Sequence, residues 1–385
     1  MSDHKIYLDN NATTRPYPDV LESMRPFFEE RFGNPSSVHE IGRDARTALD
    51  EARTSIAGRL NTESPAEVLF VSCATEANTL ALRGTVNASD RDTVQVITTQ
   101  IEHPSVLETC QALEDDGKVD VHYLSVDKDA RVNPDELRDV ITEDTALVSV
   151  MTANNEVGTI QPMEEISAIC DEYDVLLHTD AVQVPSKAPL DVQDPSVDLL
   201  SLSAHKFHGP RGIGLLYKSK HVDLEPVLRG GGQESELRSG TEPVALAAGM
   251  SAALDRAMNQ REETIREISR LRQRLWNGLS DHFGDQVYLN TPLESSLKNT
   301  LNVSFLHNKS DKMLINLDLE GICVSAGSAC HSGAIEISHV LDAMDVPRDV
   351  AESSVRFSLS HENTKRDIDK TLDCLTSEKA RVQNP

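Results

Sequence analysis

Ser201-Leu202-Ser203-Ala204-His205-Lys206-Phe207-His208-Gly209-Pro210 is the stretch that decides the fold. It completes the apolar run 199–203, short and continuous enough to be a strand buried on both faces, and it closes on a Gly-Pro turn. A lysine just past a buried strand end can form a Schiff base with an aldehyde cofactor, while the neighbouring hydroxyl and imidazole can bind a phosphate. On its own the cluster decides little, because most strand-end lysines are simply solvated.

Outward from this stretch, short apolar runs alternate with helical patterns from about residue 67 to residue 218, the signature of an α/β fold with a mainly parallel sheet. Seven strands are predicted, at 68–72, 94–98, 119–125, 146–151, 175–178, 199–203 and 214–217. Asn133-Pro134-Asp135-Glu136 and Pro162-Met163-Glu164-Glu165 place proline and acids in the first turns of intervening helices. From Val244 to Phe283 the pattern becomes one or two long amphipathic helices, with Ile265, Ile268, Leu271 and Leu275 at helical spacing. Strand patterns at 300–305 and 355–359 and a last helix opening at Thr364 then read as a smaller α+β unit. A chain of 385 residues exceeds the size at which one core stops growing. The expected division is a large domain over 15–258 and a small one made of 1–14 with 259–385.

Two further clusters sit at strand ends. In His178-Thr179-Asp180-Ala181-Val182-Gln183 an acid ends an apolar strand, where it could keep the ring nitrogen of pyridoxal 5′-phosphate protonated. In Ser72-Cys73-Ala74-Thr75-Glu76-Ala77-Asn78 a strand turns into a helix through small residues, and free amides at a helix start bind phosphate. Phosphate cradle, ring acid and Schiff-base lysine together are the minimum kit for that cofactor.

Composition narrows the partners. With 63 acidic against 37 basic residues the net charge is -26, which repels nucleic acid and anionic membrane surfaces. Such a surface fits either adaptation to high salt or an ordinary acidic intracellular enzyme; under the first reading, the melting temperature rises in molar KCl, and a flat or falling curve counts against it. No apolar run reaches the length of a membrane span, and Met1-Ser2-Asp3-His4-Lys5 lacks signal-peptide character, so a cytoplasmic location is expected. The six cysteines form no C-x-x-C pair and read as free thiols. Cys323, Cys330, His331 and His339 match no structural-zinc spacing, so no metal is expected.

The residues named so far belong to a longer set: Tyr7-Leu8-Asp9-Asn10-Asn11-Ala12-Thr13-Thr14, Phe32-Gly33-Asn34-Pro35-Ser36-Ser37-Val38-His39, Glu102-His103-Pro104-Ser105-Val106, Asn154-Asn155-Glu156-Val157-Gly158, Arg238-Ser239-Gly240-Thr241 and Ser325-Ala326-Gly327-Ser328-Ala329-Cys330. Nearly end to end, the chain resembles a fold-type I pyridoxal-phosphate enzyme, specifically a group I cysteine desulfurase of the iron–sulfur cluster assembly type within the class V aminotransferases. The resemblance implies that Lys206 holds the cofactor and moves the Cα proton. Asp180 would pair with the ring nitrogen, Gln183 with the ring oxygen, and His103 would stack on the ring and shuttle protons. Ala74, Thr75, Ser203 and His205 would cradle the phosphate, joined by Thr241 of a neighbouring protomer in a homodimer. Arg356 would clamp the substrate carboxylate with help from Asn34 and Asn155, and Asn155 would also contact the cofactor. Cys330 would accept the sulfur of L-cysteine as a persulfide and pass it to an acceptor or cluster-scaffold protein. A selenocysteine lyase, an aminotransferase of the same fold and a non-catalytic scaffold are the alternatives. Cys73, Gln233 and Ser235-Glu236 depart from the pattern of many members, which leaves the turn geometry and the subgroup open.

Overall fold

The computed structural model describes residues 5–306, 308–326 and 337–377. A two-residue strand, β1 (Ile6–Tyr7), comes first. The central sheet of the described residues holds β2 (Val68–Val71), β3 (Val94–Thr99), β4 (Val119–Leu124), β5 (Thr145–Ser149), β6 (Leu176–Asp180), β7 (Leu199–Ser203) and β8 (Gly214–Lys218). Their order is β2-β8-β7-β6-β5-β3-β4. Every neighbouring pair is parallel except the two made by β8, which runs against both β2 and β7.

These runs are strands because both faces of the sheet are buried. Along β2, Val68 and Phe70 join one core while Leu69 and Val71 join another, and Leu215 and Leu216 of β8 divide in the same way. The helices Glu40–Leu60, Met163–Tyr173 and Val244–Asn259 contribute to the first core, and Ala74–Ala88 and Pro104–Asp115 to the second. Helix starts follow their sequence signals: Asn133 caps the helix Pro134–Val140 through Asp135 N–H, and Thr364 forms a capping box with Asp367. The amphipathic stretch after Val244 is two helices, broken at Gln260 between Val244–Asn259 and Arg261–Phe283.

The remaining strands are β9 (Val287–Leu289), β10 (Thr300–Phe305), β11 (Ile322–Cys323) and β12 (Ser354–Ser358). They form an antiparallel sheet in the order β12-β10-β9, while β11 pairs in parallel with β1. Ile6 and Leu8 from the start of the chain pack with Ile268, Leu301, Val303 and Phe357 in a separate core. The N-terminal segment thus crosses from this core toward the carboxyl ends of β6 and β7, where open α/β sheets place their ligands. No helix of the described residues is long and apolar enough to cross a membrane.

Candidate active site

The parallel pairing of β6 with β7 sets Asp180 beside Ser201, and Lys206 follows in the short turn Ala204–Lys206 just past the strand end. Asp180 is buried, its Oδ2 accepting from Asn78 Nδ2 at 2.8 Å and its Oδ1 from Val182 N–H at 3.0 Å. Lys206 Nζ donates to the backbone carbonyl of Asn11 at 2.7 Å. Burial, with Arg356 adding repulsion, brings the Lys206 amine down to about 8, so a useful fraction is neutral and nucleophilic near neutral pH.

His103 caps the helix Pro104–Asp115, its Nδ1 meeting Ser105 N–H at 3.1 Å and Ser105 Oγ at 2.8 Å. Burial lowers its pKa, with Asp180 opposing and Lys206 and His339 reinforcing, which places all four groups in one neighbourhood. His205, next to Lys206 in the chain, is bonded to Thr13 Oγ1 at 3.1 Å, and burial lowers it to about 4, so it is neutral at physiological pH. Gln183 is held from two sides: Nε2 donates to Asn11 O at 3.0 Å, and Oε1 accepts from Lys187 at 2.6 Å. Lys187 is itself buried, and desolvation drives its pKa well below the usual lysine value.

Arg356, on β12, is 4% exposed; it reaches Asp9 at 2.8 Å and the Asn155 carbonyl at 3.0 Å, and its Nε has no partner among the described residues. The helix Ala74–Ala88 begins after Cys73 without a side-chain cap, which leaves its first amides to an outside acceptor. Ser203 Oγ is buried and lacks a partner among the described residues. Asn34 and Thr241 stand apart. Both are exposed in the single chain, and Asn34 caps Ser36 N–H at 2.9 Å. Cys330 lies outside the described residues. The segments flanking it start and finish at the site: Arg356 N–H donates to Ser325 O at 2.7 Å, and His339 Nε2 meets Glu102 O at 2.9 Å.

The aminotransferase class-V family model matches residues 6–371. The chain belongs to that family. The chain is 44% identical over 383 residues to the cysteine desulfurase IscS of Dictyoglomus turgidum, covering 99% of this chain and 96% of the relative. It is 42% identical over 368 residues to the cysteine desulfurase NifS of Azotobacter vinelandii, covering 95% and 90%. A solved NifS-like protein superposes with a TM-score of 0.91 at 40% identity, covering 97% of this chain and 98% of that one. The cofactor of the chain is pyridoxal 5′-phosphate. The chemistry of the site fits it: the open helix start and the unpartnered Ser203 hydroxyl suit a phosphate, the Asp180 carboxylate suits a protonated ring nitrogen, and the Lys206 amine suits an aldehyde.

Gly214 makes the cradle possible. A Cβ there would sit 2.6 Å from Leu202 O, 2.7 Å from Cys73 C and 3.0 Å from Ala74 N, all backbone atoms that cannot swing away. Gly214→Ala is therefore expected to cost about 1–3 kcal/mol and to displace the phosphate turn. A lower melting temperature with faster loss of cofactor on dialysis is the expected result, and wild-type retention in a stable variant would contradict it.

Three of the groups in this network, Asn11, Asn78 and Glu102, lie in motifs that sequence reading quoted without giving them a role. Glu102 is fully buried; Oε1 accepts from Met151 N–H at 2.8 Å and Thr99 Oγ1 at 3.0 Å, and Oε2 has no partner among the described residues. Burial raises its pKa from 4.5 to about 8. Between those values the folded state keeps a proton that the unfolded chain has released, so stability falls as pH rises, by at most about 1.4 kcal/mol per pH unit. Glu102→Gln removes that dependence while keeping the shape and the acceptor. Its melting temperature relative to wild type is expected to climb from about pH 5 to about pH 8, and parallel curves would count against the buried neutral acid.

Proposed function

We propose that this chain is a cysteine desulfurase that takes sulfur from L-cysteine onto Cys330 and releases L-alanine. The observation that carries this reading is the convergence of a depressed lysine amine, a buried carboxylate and a buried arginine with a free Nε at the carboxyl ends of β6 and β7. The relatives named cysteine desulfurase, similar over nearly the whole chain, support the same reaction.

Bound pyridoxal 5′-phosphate supplies an aldehyde for the substrate amine and a protonated ring that withdraws electrons from Cα. Ala74, Thr75, Ser203 and His205 hold its phosphate, Asp180 its ring nitrogen and Gln183 its ring oxygen. Arg356 takes the substrate carboxylate through Nε and one Nη, a bidentate grip, with Asn155 alongside. The Lys206 amine, freed by the incoming substrate, removes the Cα proton. The Cys330 thiolate then attacks the substrate sulfur. The C–S bond breaks with its electron pair left on carbon, the carbon takes up a proton with His103 at hand, and Cys330 carries the persulfide. Both flanks of the Cys330 segment are anchored at this site, which supports its reach.

We assign the working unit as a homodimer in which Thr241 reaches the neighbour's phosphate. Leu21, Phe28, Phe32, Val38 and Ile41 are 47–88% exposed within one short stretch, an apolar surface suited to a second copy. The persulfide would pass to a cluster scaffold or another thiolation acceptor. The decisive experiment is mass spectrometry after exposure to L-cysteine: one added sulfur on the peptide that contains Cys330 is expected, and its absence under conditions that yield alanine overturns the assignment.

A further inference from the structure

Asn78 occupies an unusual position between two groups of the site. It is 0% exposed, and its single Nδ2 lies 2.8 Å from Asp180 Oδ2 and 2.9 Å from Ser105 Oγ. The carboxamide has one possible orientation, because turning it over would set Oδ1 against the Asp180 carboxylate. Both amide hydrogens are therefore spent, one on Asp180 and one on Ser105. Ser105 Oγ, having accepted from Asn78, directs its one hydrogen at His103 Nδ1, 2.8 Å away. Ser105 N–H points at the same nitrogen from 3.1 Å. With two donors converging on it Nδ1 carries no proton, and the proton of the neutral ring sits on Nε2.

We propose that Asn78 is a positioning residue that holds the Asp180 carboxylate with one hydrogen and, with the other, holds Ser105 Oγ in place as the second donor to His103 Nδ1. Two groups assigned to opposite duties are thereby set by one side chain. Without Asn78, Ser105 Oγ loses the donor that orients it and its contact with the His103 ring weakens, while Ser105 N–H still keeps the ring as the Nε2–H tautomer. The charged and titratable groups facing His103, namely Asp180, Lys206 and His339, do not supply this control, since none of them touches Nδ1.

The proposal rests on the reading of Asp180 and His103 as facing the cofactor, and its test separates the two. Nitrogen-15 NMR of histidine-labelled protein freed of cofactor, with His103 assigned from His103→Gln, reports the tautomer directly. Wild type and both variants are expected to show Nε2–H, with the Nδ1 resonance moved downfield in Asn78→Ala and Ser105→Ala as the hydrogen bond from Ser105 Oγ weakens or is lost. On reloaded protein, the pH at which the cofactor absorbance changes is expected to shift in Asn78→Ala and to stay put in Ser105→Ala, which leaves Asp180 held. In both variants kcat should fall about 10- to 100-fold with KM nearly unchanged. An Nδ1 resonance unmoved in Asn78→Ala overturns the proposal, as does an identical absorbance titration for Asn78→Ala and wild type. Should Asn78→Ala fail to fold, Asn78→Ser, with a single hydrogen to give, decides it by the same two readouts. Failure of wild type to form alanine from cysteine would instead remove the desulfurase reading, with the NMR result untouched.

Discussion

Lys206→Ala is expected to abolish the visible absorbance of bound cofactor and to lower alanine formation from L-cysteine by at least ~10³-fold. The amine lies in the turn just past the carboxyl end of β7, where it can condense with an aldehyde, and its surroundings have brought its pKa to about 8, close to working pH. Burial depresses it first and Arg356 second, so the same arginine that would take the substrate carboxylate also helps keep the lysine reactive. The fold should survive the change. The Asn11 carbonyl that loses Lys206 still accepts from Gln183 Nε2 at 3.0 Å, so no buried acceptor is orphaned. Absorption spectra beside a melting curve check this, and a visible band retained in the variant removes Lys206 from its role.

Cys330→Ser is expected to separate the two halves of the reaction. A hydroxyl is ionised far less readily than a thiol and is a poor acceptor for sulfur, so sulfide release with a reductant present should fall by at least ~10³-fold. Cofactor binding should be unchanged, because Lys206, Asp180 and Ser203 are untouched, and added L-cysteine should still alter the absorbance. Spectrum and sulfide assay on one sample give the answer; full sulfide release from the serine variant would refute the persulfide route.

Much of this architecture was legible in the sequence where burial on both faces forces apolar continuity. The predicted strands at 94–98, 199–203 and 214–217 match β3, β7 and β8 to within a residue. At β6 the apolar pattern stops at His178, yet the strand continues through Thr179 and Asp180, because buried hydrogen bonds replace apolar packing at the site end. The short β1, β9 and β11 left no pattern, since two or three residues cannot show a period. Lys206 and Asp180 stand out by residue type in strand-end motifs, whereas His103 is named only through the family resemblance. Asn78 and Asn11 could not be assigned roles, because an asparagine signals nothing until its partners are known: Asn78 meets Asp180 across 102 positions, and Asn11 meets Asn299 across 288.

Asn11 joins the two cores at a single residue. Its carbonyl receives the Lys206 amine at 2.7 Å, while its side chain bonds Thr300 Oγ1 and Asn299 Nδ2, each at 2.8 Å, at the start of the small sheet. Any hinge motion between the sheets must therefore tug on the atom that steadies the reactive amine. Trimming the N-terminal arm would cut that linkage and at the same time release Arg356 from Asp9 and His205 from Thr13, so the arm is a strut of the site rather than a passive tail.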